Sequence, residues 1–260
     1  MANTSVRRLF VLLCGFEVLP KSISTRNSGE RFIMSEPISA YLLDTESGWI
    51  LLDTGFDPVN VQDLPTINRH FFANGLYPPV VSDAHRLERQ LAQIGIGFKD
   101  VGHIVLSHLH FDHTGYLKYF PHAKVSIQRR EYACAASGKT TLGHIVSDFN
   151  LPSIRWTLVD GDWELVPGVN MIDTRGHTEG HQSAVVELAN SGTIVLPFDA
   201  GDLQENFDQE ILPGESVDDA AALAAIRRVK SIVADTGGRL ILFHDPVAIQ
   251  STRLAPAFYD

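Results

Sequence analysis

One short stretch of the chain, His108-Leu109-His110-Phe111-Asp112-His113, places four metal-binding side chains within six residues. It begins soon after an apolar run, Ile104–Leu106, that is typical of a buried strand. Imidazole and carboxylate groups are the usual nitrogen and oxygen ligands of zinc. Clustering so many titratable groups is costly unless a cation compensates them. We therefore expect a metal site where this strand ends and turns.

Three further candidate ligands follow apolar runs in the same way. The runs and their ligands are Val169–Ile172 with His177, Thr193–Leu196 with Asp199, and Leu240–Phe243 with His244. Ligands at the ends of several strands are typical of a site built at one edge of a sheet. A catalytic zinc ion has three protein ligands and one open position, so these seven candidates suffice for two ions.

Other short apolar runs predict more buried strands, joined by few helices. They are Leu9–Leu13, Ala40–Leu43, Trp49–Leu52, Val125–Ile127 and Ala184–Leu188, with Glu46-Ser47-Gly48 as a hairpin turn. A helix is predicted over Ala84–Ile94. A second is predicted over Ser216–Asp235, with Ser216 and Asp219 as a capping pair and Gly237 as its end. The proline-rich excursion over residues 56–82 is expected to contribute to substrate binding.

Composition narrows the class of protein. The net charge of −10 argues against a nucleic-acid partner, because binding phosphates needs a basic surface. Two cysteines without a CxxC motif predict reduced thiols in a cytoplasmic protein. Arg7-Arg8 before the apolar run Leu9–Phe16 faintly resembles a signal peptide, but Glu17 interrupts the run and a first strand is favoured. No stretch reaches the length of a membrane span, so no membrane partner is expected.

Together these motifs resemble the metallo-β-lactamase superfamily. The matching residues are the His108-x-His110-x-Asp112-His113 motif, followed by His177, Asp199 and His244, with two further signatures at Leu52-Asp53-Thr54-Gly55 and Gly176-His177-Thr178-x-Gly180-His181. The resemblance covers nearly the whole chain. Ligand order and chain length are most similar to the N-acyl homoserine lactonases and related lactonases, such as 4-pyridoxolactonase.

The resemblance implies an α/β fold, a four-layered αβ/βα sandwich forming one domain over residues 1–260. It implies two Zn²⁺ ions, with other divalent metals possible, and assigns their ligands. One ion is expected on His108, His110 and His177, the other on Asp112, His113 and His244, and Asp199 and a hydroxide between them. Asp53 and His181 are implied to orient the ligands. Some relatives are dimers, so a homodimer is possible.

The implied reaction is opening of a lactone ring, with N-acyl homoserine lactones as the favoured substrates (quorum quenching). Attack by the hydroxide needs a proton carrier, and Asp112 is placed for that role. The chain departs from the family at Asp202, where the best-known lactonases have a tyrosine that donates a hydrogen bond to the substrate carbonyl. A carboxylate cannot donate that bond unless it is protonated. Asp202 is therefore a second candidate catalytic residue.

Other functions remain open at this stage. One is hydrolysis of another lactone, of the 4-pyridoxolactone or γ-butyrolactone type. Another is a glyoxalase II-like thioesterase, although too few residues follow His244 for its basic helical region. An exported β-lactamase is disfavoured because no signal peptide is recognised. Iron-dependent redox enzymes share the fold, but flavodiiron proteins carry a glutamate in place of His110 and the mononuclear enzymes need fewer ligands. A metal-binding protein without catalytic activity is the least favoured reading.

Candidate residues for an acyl-chain pocket are apolar side chains near these motifs. They are Phe71, Phe72, Phe111, Leu142, Phe149 and Leu151. Each is equally typical of an ordinary hydrophobic core.

Overall fold

The computed structural model describes residues 4–260 and contains two β-sheets. The first sheet has six strands in sequence order, of which β1, β2 and β3 are antiparallel and the rest parallel. Its strands are β1 (Val6–Pro20), β2 (Ile33–Thr45), β3 (Gly48–Leu52), β4 (Val101–Val105), β5 (Lys124–Gln128) and β6 (Arg155–Val159). Glu46 and Ser47 form the predicted turn between β2 and β3.

The second sheet has five strands in the order β11-β10-β9-β8-β7 and is antiparallel except for the β10–β11 pair. Its strands are β7 (Trp163–Val166), β8 (Val169–Asp173), β9 (Gln182–Leu188), β10 (Gly192–Leu196) and β11 (Arg239–Leu240). The backbone stays next to β10 after β11 ends, since Ile241 N–H donates to the Val195 carbonyl at 3.0 Å.

Alternation along the strands of the second sheet separates two hydrophobic layers. Ala184 and Val186 of β9 pack in the core shared with the first sheet, whereas Val185 between them faces the opposite side. There it packs with Ile226 and Val229 of the longest helix. Successive strand side chains point to opposite faces, so both faces of this sheet are buried.

Within residues 4–260, eight α-helices connect and cover the sheets. They are α1 (Lys21–Ser24), α2 (Leu64–His70), α3 (Leu87–Ile94), α4 (Phe111–Thr114), α5 (Arg129–Ala136), α6 (Val146–Phe149), α7 (Gln204–Gln209) and α8 (Asp219–Thr236). Helices α3 and α5 contact the first sheet, and α8 contacts the second. The layers are therefore helix, sheet, sheet and helix, which confirms the predicted four-layered αβ/βα sandwich. Among residues 4–260, no helix is long and apolar enough to cross a bilayer.

Most predicted strands are present, with shifted ends. Strand β1 extends well beyond the predicted Leu9–Leu13, and β11 covers only the start of Leu240–Phe243. Strands β6 and β7 were not predicted from the sequence, because their side chains are mostly half-buried and form no continuous apolar run. Residues 56–82 form short helical turns, including α2.

The predicted cap of α8 is wrong by two residues. Asp218, and not Ser216, caps the helix, and its side chain accepts from the Ala221 N–H at 3.0 Å. Ser216 instead donates its hydroxyl to Asp219. The predicted end is confirmed, because Gly237 has the left-handed conformation that glycine adopts most easily.

Candidate metal centre

The seven predicted ligands meet at one point between the two sheets. They form two sets, His108, His110, His177 and Asp199 in one and Asp112, His113 and His244 in the other. Within each set the candidate ligand atoms all lie within 4.8 Å of one another. All seven residues are buried. Segments far apart in the sequence therefore converge on a compact set of nitrogen and oxygen ligands, the chemistry that zinc and similar divalent ions bind.

Asp53 and Ser107 hold two of the histidines in place. The Asp53 carboxylate accepts from His113 Nδ1 at 2.7 Å and from the Ser107 hydroxyl at 2.7 Å. The same hydroxyl oxygen lies 3.0 Å from His108 Nδ1. With each Nδ1 occupied, Nε2 of both rings is left for the centre. A carboxylate that orients a ligating imidazole is typical of metal sites.

Backbone carbonyls orient two more histidines, again through Nδ1. His177 Nδ1 lies 3.1 Å from the Glu215 carbonyl, and His244 Nδ1 lies 3.0 Å from the Pro37 carbonyl. These contacts make Nδ1 the protonated nitrogen and Nε2 the free one. Nε2 of His177 and His244 then face Asp199, at 3.4 Å and 3.6 Å from its oxygens.

His110 is turned the other way. Its Nε2 lies 3.1 Å from the Thr141 hydroxyl, and its Nδ1 lies 3.1 Å from His177 Nε2. A Cβ atom at Gly143 would come within 2.6 Å of the His110 ring, so only glycine lets this loop pack against it. His110 therefore offers Nδ1, the opposite nitrogen to its neighbours.

Asp199 lies between the two sets. Its Oδ2 is 3.5 Å from His108 Nε2 and 3.4 Å from His113 Nε2. The backbone before it is strained, because Phe198 has a φ of 48°. A bulky residue in this region costs on the order of 1–3 kcal/mol, and packing against Tyr41 and Phe243 retains it here.

His181 fixes the Asp199 backbone. Its Nε2 accepts from the Asp199 N–H at 3.1 Å, and its Nδ1 lies 3.1 Å from the Thr174 carbonyl. Burial lowers the pKa of His181 to about 3, so the ring is neutral and can accept. Burial likewise lowers the pKa of His108 and His110, which keeps them in the neutral form that binds metals.

The buried polar atoms of the metal cluster are suited to bind cations. His108 Nε2, Asp112 Oδ2, His113 Nε2 and Asp199 Oδ1 are buried and make no hydrogen bond. Leaving so many buried polar atoms unsatisfied is costly, and a bound cation would satisfy all of them at once. The donor set and its spacing thus describe a dinuclear metal-binding site.

An open cleft leads to this centre. Its apolar lining residues are Leu19, Ile23, Leu76, Phe111 and Leu142. Of the predicted acyl-pocket residues, Phe111 and Leu142 therefore line the cleft. Phe149 and Leu151 line a separate surface cavity, Phe71 is in the core, and Phe72 is exposed.

Acidic residues also line the cleft. They include Asp202, which the sequence singled out, and Glu17 and Glu36. Burial raises the pKa of Asp202 and Glu17 well above the ordinary carboxyl range, and raises that of Glu36 to about 7. Neither Glu17 nor Glu36 was predicted from the sequence as a site residue. Each is a single acidic residue within a strand, with no motif around it.

Comparison with known proteins agrees with this geometry. Residues 35–244 match the metallo-beta-lactamase superfamily. An N-acyl homoserine lactonase from a Bacillus species is 33% identical over 98% of this chain and 99% of its own length. The corresponding enzyme of Bacillus cereus is 32% identical over 98% and 99%.

Solved structures agree as well. A crystal structure of a Bacillus thuringiensis AiiA mutant, with N-decanoyl-L-homoserine at its active site, superposes with a TM-score of 0.89. It is 31% identical, and the match covers 98% of this chain and 100% of the other. An N-acyl homoserine lactone hydrolase with N-hexanoyl-L-homoserine bound at its catalytic metal centre matches equally well, with a TM-score of 0.89, 31% identity and coverage of 98% and 100%. The chain belongs to the N-acyl homoserine lactonase family of the metallo-β-lactamase superfamily.

Proposed function

We propose that this protein hydrolyses the lactone ring of N-acyl homoserine lactones, using two zinc ions held by the seven-residue cluster. The observation that carries the proposal is the convergence of these ligands at the base of a cleft with apolar lining residues. Two relatives of similar length hold ring-opened N-acyl homoserines at their active sites. Zinc is proposed because imidazole and carboxylate are its usual ligands in catalytic sites.

In this proposal each set of ligands holds one ion. His108, His110 and His177 would hold the first, and Asp112, His113 and His244 the second. Asp199 would contribute to both, since its Oδ2 lies near histidines of both sets. Metal ions bound there would lower the pKa of water and polarise the ester carbonyl of the lactone.

Asp112 is the proposed proton carrier. Its Oδ2 makes no hydrogen bond and lies 3.0 Å from His113 Nε2 and 3.5 Å from His244 Nε2, at the base of the cleft. It takes a proton from the attacking water and later delivers one to the ring oxygen. The bond between the carbonyl carbon and the ring oxygen breaks, and the product is a hydroxy acid.

The apolar and the acidic residues of the cleft have different roles. The apolar residues, among them Phe111 and Leu142, accept the acyl chain and remove it from water. Asp202 also lines the cleft and its Oδ1 makes no hydrogen bond, so we assign it a contact with the polar part of the substrate. Asp53 and His181 act through the ligands that they orient.

A pH-indicator hydrolysis screen tests the proposal. The panel contains N-acyl homoserine lactones of several chain lengths, simple γ- and δ-lactones, a thioester and a β-lactam. We expect the acyl homoserine lactones to be hydrolysed fastest, with activity lost on chelation and restored by Zn²⁺. Preference for a simple lactone would identify the alternative lactonase, and preference for the thioester would overturn lactone hydrolysis in favour of a glyoxalase II-like activity.

A cytoplasmic location, a homodimer and a single domain over residues 1–260 stay predictions. Cell fractionation, sedimentation in solution and limited proteolysis test them in turn. The absence of nucleic-acid and membrane partners also stays a prediction, based on the net charge of −10 and the lack of a long apolar stretch.

A further inference from the structure

Besides Glu215, whose backbone carbonyl contacts His177, three acidic residues that line the cleft have no place in the metal cluster. They are Glu17 of β1, Glu36 of β2 and Asp202, which follows the Asp199 turn. Glu17 and Glu36 lie directly opposite each other in the β1–β2 register. Like charges at directly opposed positions destabilise an antiparallel pair. Two facing glutamates beside a third carboxyl are therefore stable only when they are protonated or lie beside a cation. We call these three residues the carboxyl wall.

Protein groups satisfy only part of this wall. The Ser24 hydroxyl donates to Glu36 Oε2 at 2.7 Å, but Glu36 Oε1 and Asp202 Oδ1 make no hydrogen bond. Glu36 is 1% exposed and Asp202 is 6% exposed, so bulk water does not replace the missing partner. Within the described part of the chain, no lysine or arginine lines the cleft. Two residues that line the cleft are thus each left with a buried oxygen that has no hydrogen-bond partner.

The spacing of the wall distinguishes an organic cation from a metal ion. The seven metal-cluster residues bring their ligand atoms within 4.8 Å of one another in two sets, and the carboxyl wall does not form such a set. An alkylammonium group is larger than a metal ion and directs three N–H donors outward.

We infer that Glu17, Glu36 and Asp202 form a recognition site for a protonated amine carried by the substrate close to the lactone ring. The inference rests on the proposed lactonase function and names a substrate class within it. Glu17 Oε2 lies 3.9 Å from His244 Nδ1, so the wall directly adjoins the metal cluster. The amine is therefore on a short substituent of the ring. The neutral amide N–H of an N-acyl homoserine lactone meets the same acceptors with a weaker interaction.

Two isosteric lactones test this preference. Aminomethyl-γ-butyrolactone carries the cation, and ethyl-γ-butyrolactone replaces it with a methyl group of similar size. We expect kcat/KM of the zinc-loaded enzyme to be about tenfold higher for the amine, as one charge-assisted hydrogen bond provides. Glu36→Gln should remove most of this preference while the ethyl lactone changes less than about twofold, and Asp202→Asn should lower kcat/KM more for the amine than for the ethyl lactone. Glu164→Gln is the control. It removes a negative charge from an exposed side chain on β7 and should leave both rates unchanged.

Equal rates for the two lactones in the unmodified enzyme would overturn the inference. So would equal losses for both lactones in Glu36→Gln and Asp202→Asn, which would assign the wall a structural role. Calorimetric titration of the metal-loaded protein with each lactone separates this inference from the proposed function. If no lactone is hydrolysed but the amine still binds more tightly, the lactonase proposal fails and the recognition site stands.

Discussion

The two polar surfaces of the cleft use buried, unpaired atoms in different ways. In the metal cluster, hydrogen bonds hold one nitrogen of each histidine, and the free nitrogens and Asp199 oxygens converge on the same point. In the carboxyl wall, Glu36 and Asp202 each keep one oxygen free, but the groups do not converge. The spacing of the unpaired atoms therefore distinguishes the metal cluster from the carboxyl wall. A compact set of held ligands fits a metal ion, and a spread set of acceptors fits a larger organic group.

The largest effect is expected from removing a ligand of the metal cluster. His110→Ala deletes the only cluster histidine that offers Nδ1, so we expect lactone hydrolysis to fall more than about 100-fold, with a loss of bound metal. Metal analysis and lactonase assays measure both. His122→Ala is the matched control, because His122 contacts the Val101 carbonyl outside the cleft. Full activity in His110→Ala would show that the ligand assignment is wrong.

A smaller effect is expected from loosening a ligand without deleting it. Asp53→Asn weakens the hold on His113 and Ser107, and loss of such an orienting group typically costs roughly 10–100-fold in metal affinity or activity. Metal affinity is measured by competition with a chelator. Asp44→Asn is the control, because that buried aspartate pairs with Arg7 and Arg8 away from the cluster. Equal losses in both variants would mean that Asp53 only stabilises the fold.

A substitution in the carboxyl wall should change substrate choice more than rate. Asp202→Tyr installs the neutral donor present in the best-known lactonases, so we expect turnover of N-acyl homoserine lactones to be preserved or raised by up to about tenfold. The preference for the amine-bearing lactone should decrease. Steady-state kinetics on both substrates measure this. A collapse of turnover with normal metal content would mean that Asp202 has a catalytic task that tyrosine cannot perform.

The smallest effect is expected at the start of α8, which adjoins the metal cluster through one backbone contact. Asp218 caps this helix, and its N–H donates to the Gly176 carbonyl beside His177. Asp218→Ala should lower the free energy of unfolding by about 1 kcal/mol, with a modest loss of metal affinity. Denaturant unfolding measures the first quantity. Ser216→Ala should cost less than about 0.5 kcal/mol, and the reverse order would restore Ser216 as the cap.

The sequence predicted the metal cluster well because its ligands share a local pattern. His177, Asp199 and His244 each follow an apolar run, and in the structure those runs begin in strands β8, β10 and β11 of the second sheet. Periodicity also located most strands of both sheets. It failed for β6 and β7, whose side chains are mostly half-buried and form no continuous apolar run.

The carboxyl wall could not be predicted in the same way. Glu17 and Glu36 are isolated in the sequence, and they face each other only through the β1–β2 register. A shift of one residue in that register would turn either side chain to the other face of the sheet. Long-range pairing, and not local pattern, therefore creates this part of the site. The α8 cap shows the same limit on a smaller scale, because Ser216 and Asp218 are both good capping residues.

The most direct test of the account is the number of metal ions that the cluster binds. Apo-protein prepared by chelation is titrated with Zn²⁺ by calorimetry, and N-acyl homoserine lactone hydrolysis is followed at each addition. We expect two ions to bind per chain in the unmodified protein, with activity returning as the ions bind. Binding of fewer than two ions, or full hydrolysis by the chelated protein, would contradict it.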